Sequence, residues 1–147
     1  MHVKTSYTFD APAAKVWATI LDPEVIAGCM PGCQALTPLG DDQYEASLNV
    51  GVGSIKASYK AKITLADQTP PTSYKLKVEG RGSPGFVQGE ALISLLENGD
   101  KTTIQVDGDA QVGGTIARVG QRLLGTVNQR MMDNFFNCLK ESVAKRK

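Results

Sequence analysis

Apolar residues recur at every third or fourth position through the C-terminal part of the chain, from Thr115 to about Val143. This spacing is typical of one face of an α-helix. The residues on that face are Ile116, Val119, Leu123, Val127, Met131, Phe135, Leu139 and Val143. No proline interrupts the run, which predicts a helix about 43 Å long. Four charged residues exclude a membrane span, and the breadth of the apolar stripe favours packing on a large surface over a coiled coil.

Most of the preceding chain alternates apolar and polar residues, which predicts strands of a sheet with one dry face and one wet face. The first strand runs from His2 to Phe9. A weakly periodic strand and five strongly periodic ones follow, over residues 34–39, 43–50, 55–65, 74–81, 86–96 and 103–112. In the 86–96 segment Leu92 and Leu96 fall on the polar face. The short connections favour antiparallel neighbours.

Two short helices are predicted between the first and second strands. Asp10 is a plausible N-cap, with Pro12 near the first helical position. The pair Asp22-Pro23 ends this helix and starts another turn. The whole pattern predicts one α+β domain over residues 1–147, in which a curved seven-stranded antiparallel sheet wraps around the long C-terminal helix.

Charge and cysteine content narrow the function classes. The 147 residues carry 16 basic and 15 acidic side chains, so the net charge of +1 argues against nucleic acid as a partner. From Thr115 onward, the chain contains seven basic residues and only two acidic ones. A solvated helix face explains this excess most simply, and a weak attraction to anionic lipid is the alternative.

The first ten residues lack an apolar signal segment, and no run is long enough to span a membrane. We therefore expect a cytoplasmic protein. The odd set of Cys29, Cys33 and Cys138 predicts reduced thiols rather than a disulfide framework.

The connections at one end of the predicted sheet contain no charged residue. They cover residues 29–33, 51–53, 82–86 and 112–115. Two interpretations are open: the glycines serve tight turns and bulges, or they form the pliable apolar mouth of a binding site.

Small residues are frequent on the inward side of the strands. They are Ala46, Ala57, Ala61, Gly80, Gly89, Ala91, Gly108 and Ala110. Such residues either let the helix approach the sheet closely or leave an apolar cavity of a few hundred Å³. The pattern alone does not choose between these two outcomes.

Catalytic and metal-binding chemistry is sparse. His2 is the only histidine, and Cys29 and Cys33 lack the partners of a zinc site. We therefore predict no catalytic residue, no metal and no cofactor. Tyrosines 44, 59 and 74 face inward, where each is either a satisfied core residue or a hydrogen-bond partner for a ligand carbonyl.

Several segments carry a resemblance to a known family over nearly the whole chain. They are Ala11-Pro12 through Trp17, Leu21-Asp22-Pro23, Cys29-Met30-Pro31-Gly32-Cys33, Gly40 through Tyr44, Val50 through Lys56, Pro70-Pro71 with Tyr74, and Val112 through Ala117 with Gly120 and Leu123. The chain resembles the CoxG family of carbon monoxide dehydrogenase subunits, within the START-like (SRPBCC) helix-grip superfamily.

The resemblance implies a helix-grip fold with a hydrophobic cavity between the sheet and the last helix. It also implies an accessory role beside a molybdenum-containing carbon monoxide dehydrogenase or related hydroxylase. Membrane recruitment and quinone binding are the roles proposed for the family. In this chain the basic tail 145–147 is expected to add only a weak peripheral membrane contact.

The leading hypothesis is a noncatalytic carrier of a quinone or lipid. Its predicted ligand-binding residues are Met30, Val52, Tyr59, Ala61, Val78, Phe86, Ala91, Val119, Leu123, Val127 and Met131. The alternative is a protein–protein adaptor or maturation factor that holds no ligand. An enzyme of cyclase or hydrolase type is the least favoured hypothesis.

Overall fold

The computed structural model describes residues 1–52, 55–82 and 85–146, and at positions 50–52, 55 and 57 it describes only the backbone. The strands are β1 (His2–Phe9), β2 (Cys33–Gly40), β3 (Gln43–Val52), β4 (Ile55–Thr69), β5 (Ser73–Gly82), β6 (Gly85–Asn98) and β7 (Lys101–Gly113). The helices are α1 (Ala13–Ile20), α2 (Pro23–Cys29), a 3-10 helix (Thr115–Val119) and α3 (Gln121–Lys145). The predicted α+β architecture is therefore confirmed.

All seven strands form one antiparallel sheet in the order β1-β7-β6-β5-β4-β3-β2. Strands β2 to β7 follow one another as hairpins, while β1 pairs with β7 and so lies at the far edge. The longest strands have 13 to 15 residues. Because strands twist with a fixed hand, strands of this length curl the sheet, and its concave face receives α3.

The long C-terminal helix begins later than predicted. Gly120 has a φ of 91°, a conformation that no residue adopts inside an α-helix, and it separates the 3-10 helix from α3. The prediction of a continuous helix from Thr115 is wrong for its first turn. Periodicity could not detect the break, because a 3-10 turn also repeats apolar residues every three positions. Helix α3 has 25 residues and is about 37 Å long.

The start of α1 also differs from the prediction. Asp10 does not cap it, since Pro12 occupies the N-cap and makes no side-chain cap. The N–H of Ala13 instead donates to the carboxylate of Glu97, at 2.6 Å, from the end of β6. Helix α2 begins as expected, with Pro23 in its first turn and Asp22 accepting the N–H of Glu24 at 3.0 Å.

Two hydrophobic clusters hold α3 against the sheet. The larger cluster lies under the C-terminal half of α3, where Phe136, Leu139 and Val143 pack with Phe9 of β1 and Val16 of α1. The ring of Phe136 also stacks on Tyr7 with centroids 4.2 Å apart.

The smaller cluster lies under the N-terminal end of α3. Tyr59 and Ile116 are its buried members. The partly buried residues packed against them are Leu48, Val112, Val119, Leu123, Leu124 and Val127. The helix is thus supported at both ends by separate groups of side chains.

Cys29 and Cys138 form a disulfide bond, so the prediction of three reduced thiols is wrong for this pair. The bond joins the end of α2 to α3 across 109 sequence positions, with a Cα–Cα distance of 5.4 Å. Counting cysteines could not reveal it, because the packing of α2 on α3 brings the two together. Cys33 is free and half-buried.

Substitution of two glycines tests the position of the helix break. A β-carbon would meet nothing within 4 Å at either Gly120 or Gly125, but only Gly120 has a positive φ. We expect Gly125→Ala, inside α3, to raise the free energy of unfolding by about 0.5–1 kcal/mol. Gly120→Ala should lower it by about 1–3 kcal/mol, because alanine is strained at that φ.

Urea denaturation of both variants and the parent chain measures these changes. Equal effects of the two substitutions would contradict the break, since a continuous helix would accept alanine at both positions.

Candidate functional site

A cavity of about 360 Å³ lies between the concave face of the sheet and the middle of α3. Strands β4 to β7 supply most of its floor, and α2 and α3 supply its walls. Its apolar lining includes Ile26, Met30, Leu48, Ala61, Ile63, Leu76, Val78, Ala91, Ile93, Val106, Met131, Met132 and Phe135. A volume of this size lies within the range of small-molecule sites.

Small side chains explain why this space is hollow. The lining includes Ala61, Gly89, Ala91, Gly108 and Ala110, which the alternation had placed on the inward face. Protein interiors normally pack without voids larger than a water molecule. Here the floor residues are too short to reach α3, so the structure favours the cavity over close approach of the helix. The side chain of Ala57 lies outside the described residues.

Five of the predicted ligand-binding residues lie together around the cavity. They are Met30, Ala61, Val78, Ala91 and Met131. Four others, Tyr59, Val119, Leu123 and Val127, belong to the smaller cluster at the N-terminal end of α3. The structure therefore divides the predicted set between two places, and ligand contact by either group stays a prediction.

Phe86 does not face the cavity. It is a residue of β6, paired with Arg81 on one side and Gly113 on the other, and it is 43% exposed on the outer face of the sheet. Phe86 was included among the predicted ligand-binding residues because residues 82–86 were treated as a loop, whereas β6 already begins at Gly85. The side chain of Val52, and residues 53, 83 and 84 of the predicted mouth, lie outside the described part of the chain.

Sequence reasoning also missed cavity residues. Ile26 on α2 and Phe135 on α3 line it, as do Ile93 and Val106 on the strands. The strand pair could have been found, because both lie on inward positions of periodic strands. Ile26 could not, since nothing in the sequence shows which side of a seven-residue helix faces the sheet.

Tyr74, on β5, is the tyrosine that lines the cavity. It is only 4% exposed, and its ring packs nearly perpendicular to that of Trp17, with centroids 5.7 Å apart. Burial raises the pKa of its hydroxyl, and no hydrogen bond or charge among the described residues contributes to this change. Tyr74 therefore stays neutral near pH 7, and its hydroxyl is not engaged by a described side chain.

The hydroxyl of Tyr59 is buried and has no hydrogen-bond partner among the described residues. Burial also raises the pKa of this group. A buried polar group without a partner costs roughly 1–3 kcal/mol. Tyr59 does not line the cavity, so its hydroxyl belongs to the smaller cluster and not to the candidate site.

The two carboxylates that border the cavity are directed elsewhere. The Glu90 carboxylate lies 3.1 Å from Lys75 Nζ, and that of Asp109 lies 2.9 Å from His2 Nδ1, both with exposed side chains. The described lining therefore offers apolar contact, the Tyr74 hydroxyl and the Asn128 amide. Within the described residues, no group of three metal-binding side chains comes together. This chemistry suits a neutral apolar molecule.

A wider depression follows the exposed side of α3 between Gln121 and Asn134, but it is open and lined by polar side chains. None of the described helices is both long and apolar enough to cross a membrane.

Comparison with known proteins identifies the relatives of this chain. The model of the CoxG family of carbon monoxide dehydrogenase subunits matches residues 6–144. A conserved protein from Geobacillus kaustophilus is 36% identical, with a TM-score of 0.95 over 99% of this chain and 96% of its own. No curated protein matches the sequence.

Two more distant solved structures have the same fold. A START superfamily protein from Mycobacterium smegmatis has a TM-score of 0.75 at 15% identity, covering 98% of this chain and 97% of its own. The ZhuI aromatase/cyclase from Streptomyces sp. R1128 has a TM-score of 0.70 at 17% identity, covering 99% of this chain and 94% of its own. At these identities the likeness shows the fold alone. The predicted START-like helix-grip fold is thereby confirmed.

The buried state of Tyr74 predicts a specific dependence of stability on pH. Because the folded-state pKa is raised, the unfolded chain loses this proton first, at its ordinary pKa of about 10. The contribution of the neutral Tyr74 hydroxyl to the free energy of unfolding is complete below pH 10 and is lost as the pH rises above that value. We expect Tyr74→Phe to gain about 1 kcal/mol relative to the parent chain between pH 10 and pH 11.

Urea midpoints of both proteins at pH 8, 10 and 11 measure this difference. A difference that stays constant over that range would contradict the burial of the Tyr74 hydroxyl.

Proposed function

Because the chain belongs to the CoxG family of carbon monoxide dehydrogenase subunits, we propose that it is a noncatalytic carrier of a neutral apolar ligand. The ligand is a quinone or a lipid, held in the cavity between the sheet and α3. The carrier serves a molybdenum-containing oxidoreductase of the carbon monoxide dehydrogenase type. The observation that carries this proposal is the hollow of about 360 Å³ with an apolar lining.

The polarity of the lining supports a neutral ligand. An acyl carboxylate or a phosphate would need a cation to replace its lost water, since burying an unpaired charge is costly. The described lining residues include neither lysine nor arginine. A quinone carbonyl or an ester carbonyl needs only a hydrogen-bond donor, which Tyr74 or Asn128 can provide.

The same residues support a carrier over an enzyme. A general base works best with a pKa near the operating pH. The pKa of Tyr74 is raised by burial, so its hydroxyl is a hydrogen-bond donor near neutral pH and not a base. The carboxylates of Glu90 and Asp109 are engaged on the outer face of the sheet.

We place the protein in the cytoplasm, with a weak peripheral contact to the inner face of the membrane. We assign this contact to a different site than the basic tail, because Arg146 of that tail pairs with Asp22 at 3.2 Å. Exposed cations are grouped at the other end of the molecule. They are Lys56, Lys60, Arg81, Arg118 and Arg122.

Strand pairing places Lys56, Lys60 and Arg81 toward one end of the sheet, and Arg118 and Arg122 lie in the helices that follow the end of β7. Lys60, Arg81, Phe86 and Gly113 lie side by side across four strands, and the 3-10 helix starts two residues after Gly113. Among the described residues, no carboxylate lies within ion-pair distance of these cations. Each cation near an anionic membrane contributes about 1 kcal/mol.

Filling the cavity tests the proposal. Ala91→Leu adds three carbon atoms to the floor, and we expect it to weaken binding of a neutral apolar probe at least tenfold. Binding of N-phenyl-1-naphthylamine is followed by its own fluorescence, and binding of decylubiquinone by quenching of Trp17, the single tryptophan. Ala35→Leu, at an exposed position of β2, is the matched control and should bind like the parent chain.

Stability gives a second result that does not depend on the probe. In a hollow site Ala91→Leu should leave the free energy of unfolding unchanged or raise it, whereas in a packed core overpacking costs about 1–3 kcal/mol. Native mass spectrometry of the purified protein should show a bound apolar species. Failure of the parent chain to bind either probe, with no bound species, would favour an adaptor that holds no ligand.

A further inference from the structure

Helix α2 forms a wall of the cavity, and both of its ends are attached to α3 or to Arg146, the residue that follows α3. The wall residues are Ile26, within the helix, and Met30 and Pro31, immediately after it. At the start of α2, the Asp22 carboxylate accepts from Arg146 at 3.2 Å. At its end, Cys29 is bonded to Cys138.

The second attachment lies next to the cavity. Cys29 is the last residue of α2, and the adjacent Met30 contributes to the lining. The chain then enters β2 at Cys33, where the carbonyl of Gly32 accepts the N–H of Asn49 at 2.8 Å. Without the disulfide, residues 29–31 would be held covalently only through their chain neighbours.

The bond can be reached from one side. Cys29 is 6% exposed, whereas Cys138 is half-buried on α3. Cys138 is therefore the more accessible of the two residues, and attack of an external thiolate on its sulfur displaces that of Cys29. In a reducing compartment a disulfide is usually transient and redox-responsive.

We propose that the Cys29–Cys138 disulfide is a redox latch that controls exchange of the molecule held in the cavity. This inference rests on the proposed function, since it assigns the latch to that same cavity. The oxidised protein retains its ligand, and reduction frees the end of α2 and the adjacent lining so that the ligand exchanges.

The reductant is a dithiol protein or a small dithiol. Its thiolate attacks Sγ of Cys138, the S–S bond breaks, and Cys29 leaves as a thiolate that takes a proton from water. The second thiol of the reductant then attacks the mixed disulfide and releases the Cys138 thiol. Two electrons pass to the protein, and the reductant becomes a disulfide.

Ion pairing at the other end makes the expected motion a local one. Asp22 and Arg146 keep the start of α2 on α3, so reduction releases the end near Met30 rather than the whole helix. The buried members of the large cluster around Leu139 do not include either cysteine and should keep their packing, while Met30, which packs at the edge of this cluster, is the part that moves.

The test measures release of N-phenyl-1-naphthylamine from the full chain before and after treatment with dithiothreitol. We expect the release rate to rise about tenfold on reduction, because opening of a segment that lines a site controls release from it. Cys138→Ser should release the probe at the reduced rate in both conditions. Cys33→Ser, which removes the free thiol, is the matched control and should respond like the parent chain.

Thiol titration of the denatured protein must show one reactive thiol before reduction and three after it. Hydrogen exchange over residues 23–33 should rise on reduction in the parent chain and should not change in Cys138→Ser. Three reactive thiols in the air-oxidised protein would overturn the proposal. So would equal release rates, or unchanged exchange, in the oxidised and reduced parent chain.

The outcomes separate this inference from the proposed function. If the probe binds to the oxidised and to the reduced protein and dissociates from both at the same rate, the redox latch is rejected and the carrier function stands. A probe that binds in neither state removes the carrier, and the latch with it. If Cys138→Ser folds poorly, the reduced parent chain supplies the same comparison.

Discussion

The distance between α3 and the sheet is the constraint on which the other features depend. Phe136, Leu139 and Val143 fix the C-terminal half of the helix on the core, and the cluster around Tyr59 and Ile116 supports its other end. Between these supports the floor carries alanine and glycine. A rigid helix cannot bend down to meet them, so the missing side-chain volume remains as a cavity.

The chemistry of the site follows from this geometry. Inward positions are apolar because alternation places the charged residues on the outer face. There Glu90 pairs with Lys75, and Asp109 pairs with His2. What remains inside is hydrocarbon, the neutral hydroxyl of Tyr74 and the amide of Asn128. Such a site gains binding energy by removing apolar surface from water, at roughly 25 cal/mol per Å². Helix α2 closes one side, and its covalent and ionic attachments to α3 set how readily that side opens.

Much of the fold could be predicted because period-2 and period-3.6 patterns report local geometry directly. The seven strands and most of α3 follow from these patterns, and the proline signals at Pro12 and Pro23 predict the two short helices. The break at Gly120, the Glu97 cap of α1 and the Cys29–Cys138 bond were not, because each depends on a backbone angle or on a partner 84 to 109 residues away. For the site, alternation identified the inward residues such as Ala61 and Ala91. It could not show that Tyr59 packs in a different cluster from Ala61. Phe86 was misassigned for another reason, because residues 82–86 were treated as a loop although β6 begins at Gly85.

A crystal structure of the protein under xenon pressure tests the central claim most directly. Apolar cavities that are empty of side chains accept xenon, whereas packed interiors do not. The account predicts xenon between the sheet and α3, in contact with Ala61, Ala91 and Met131. A structure in which side chains of the protein fill that space, with no xenon bound there, would contradict it.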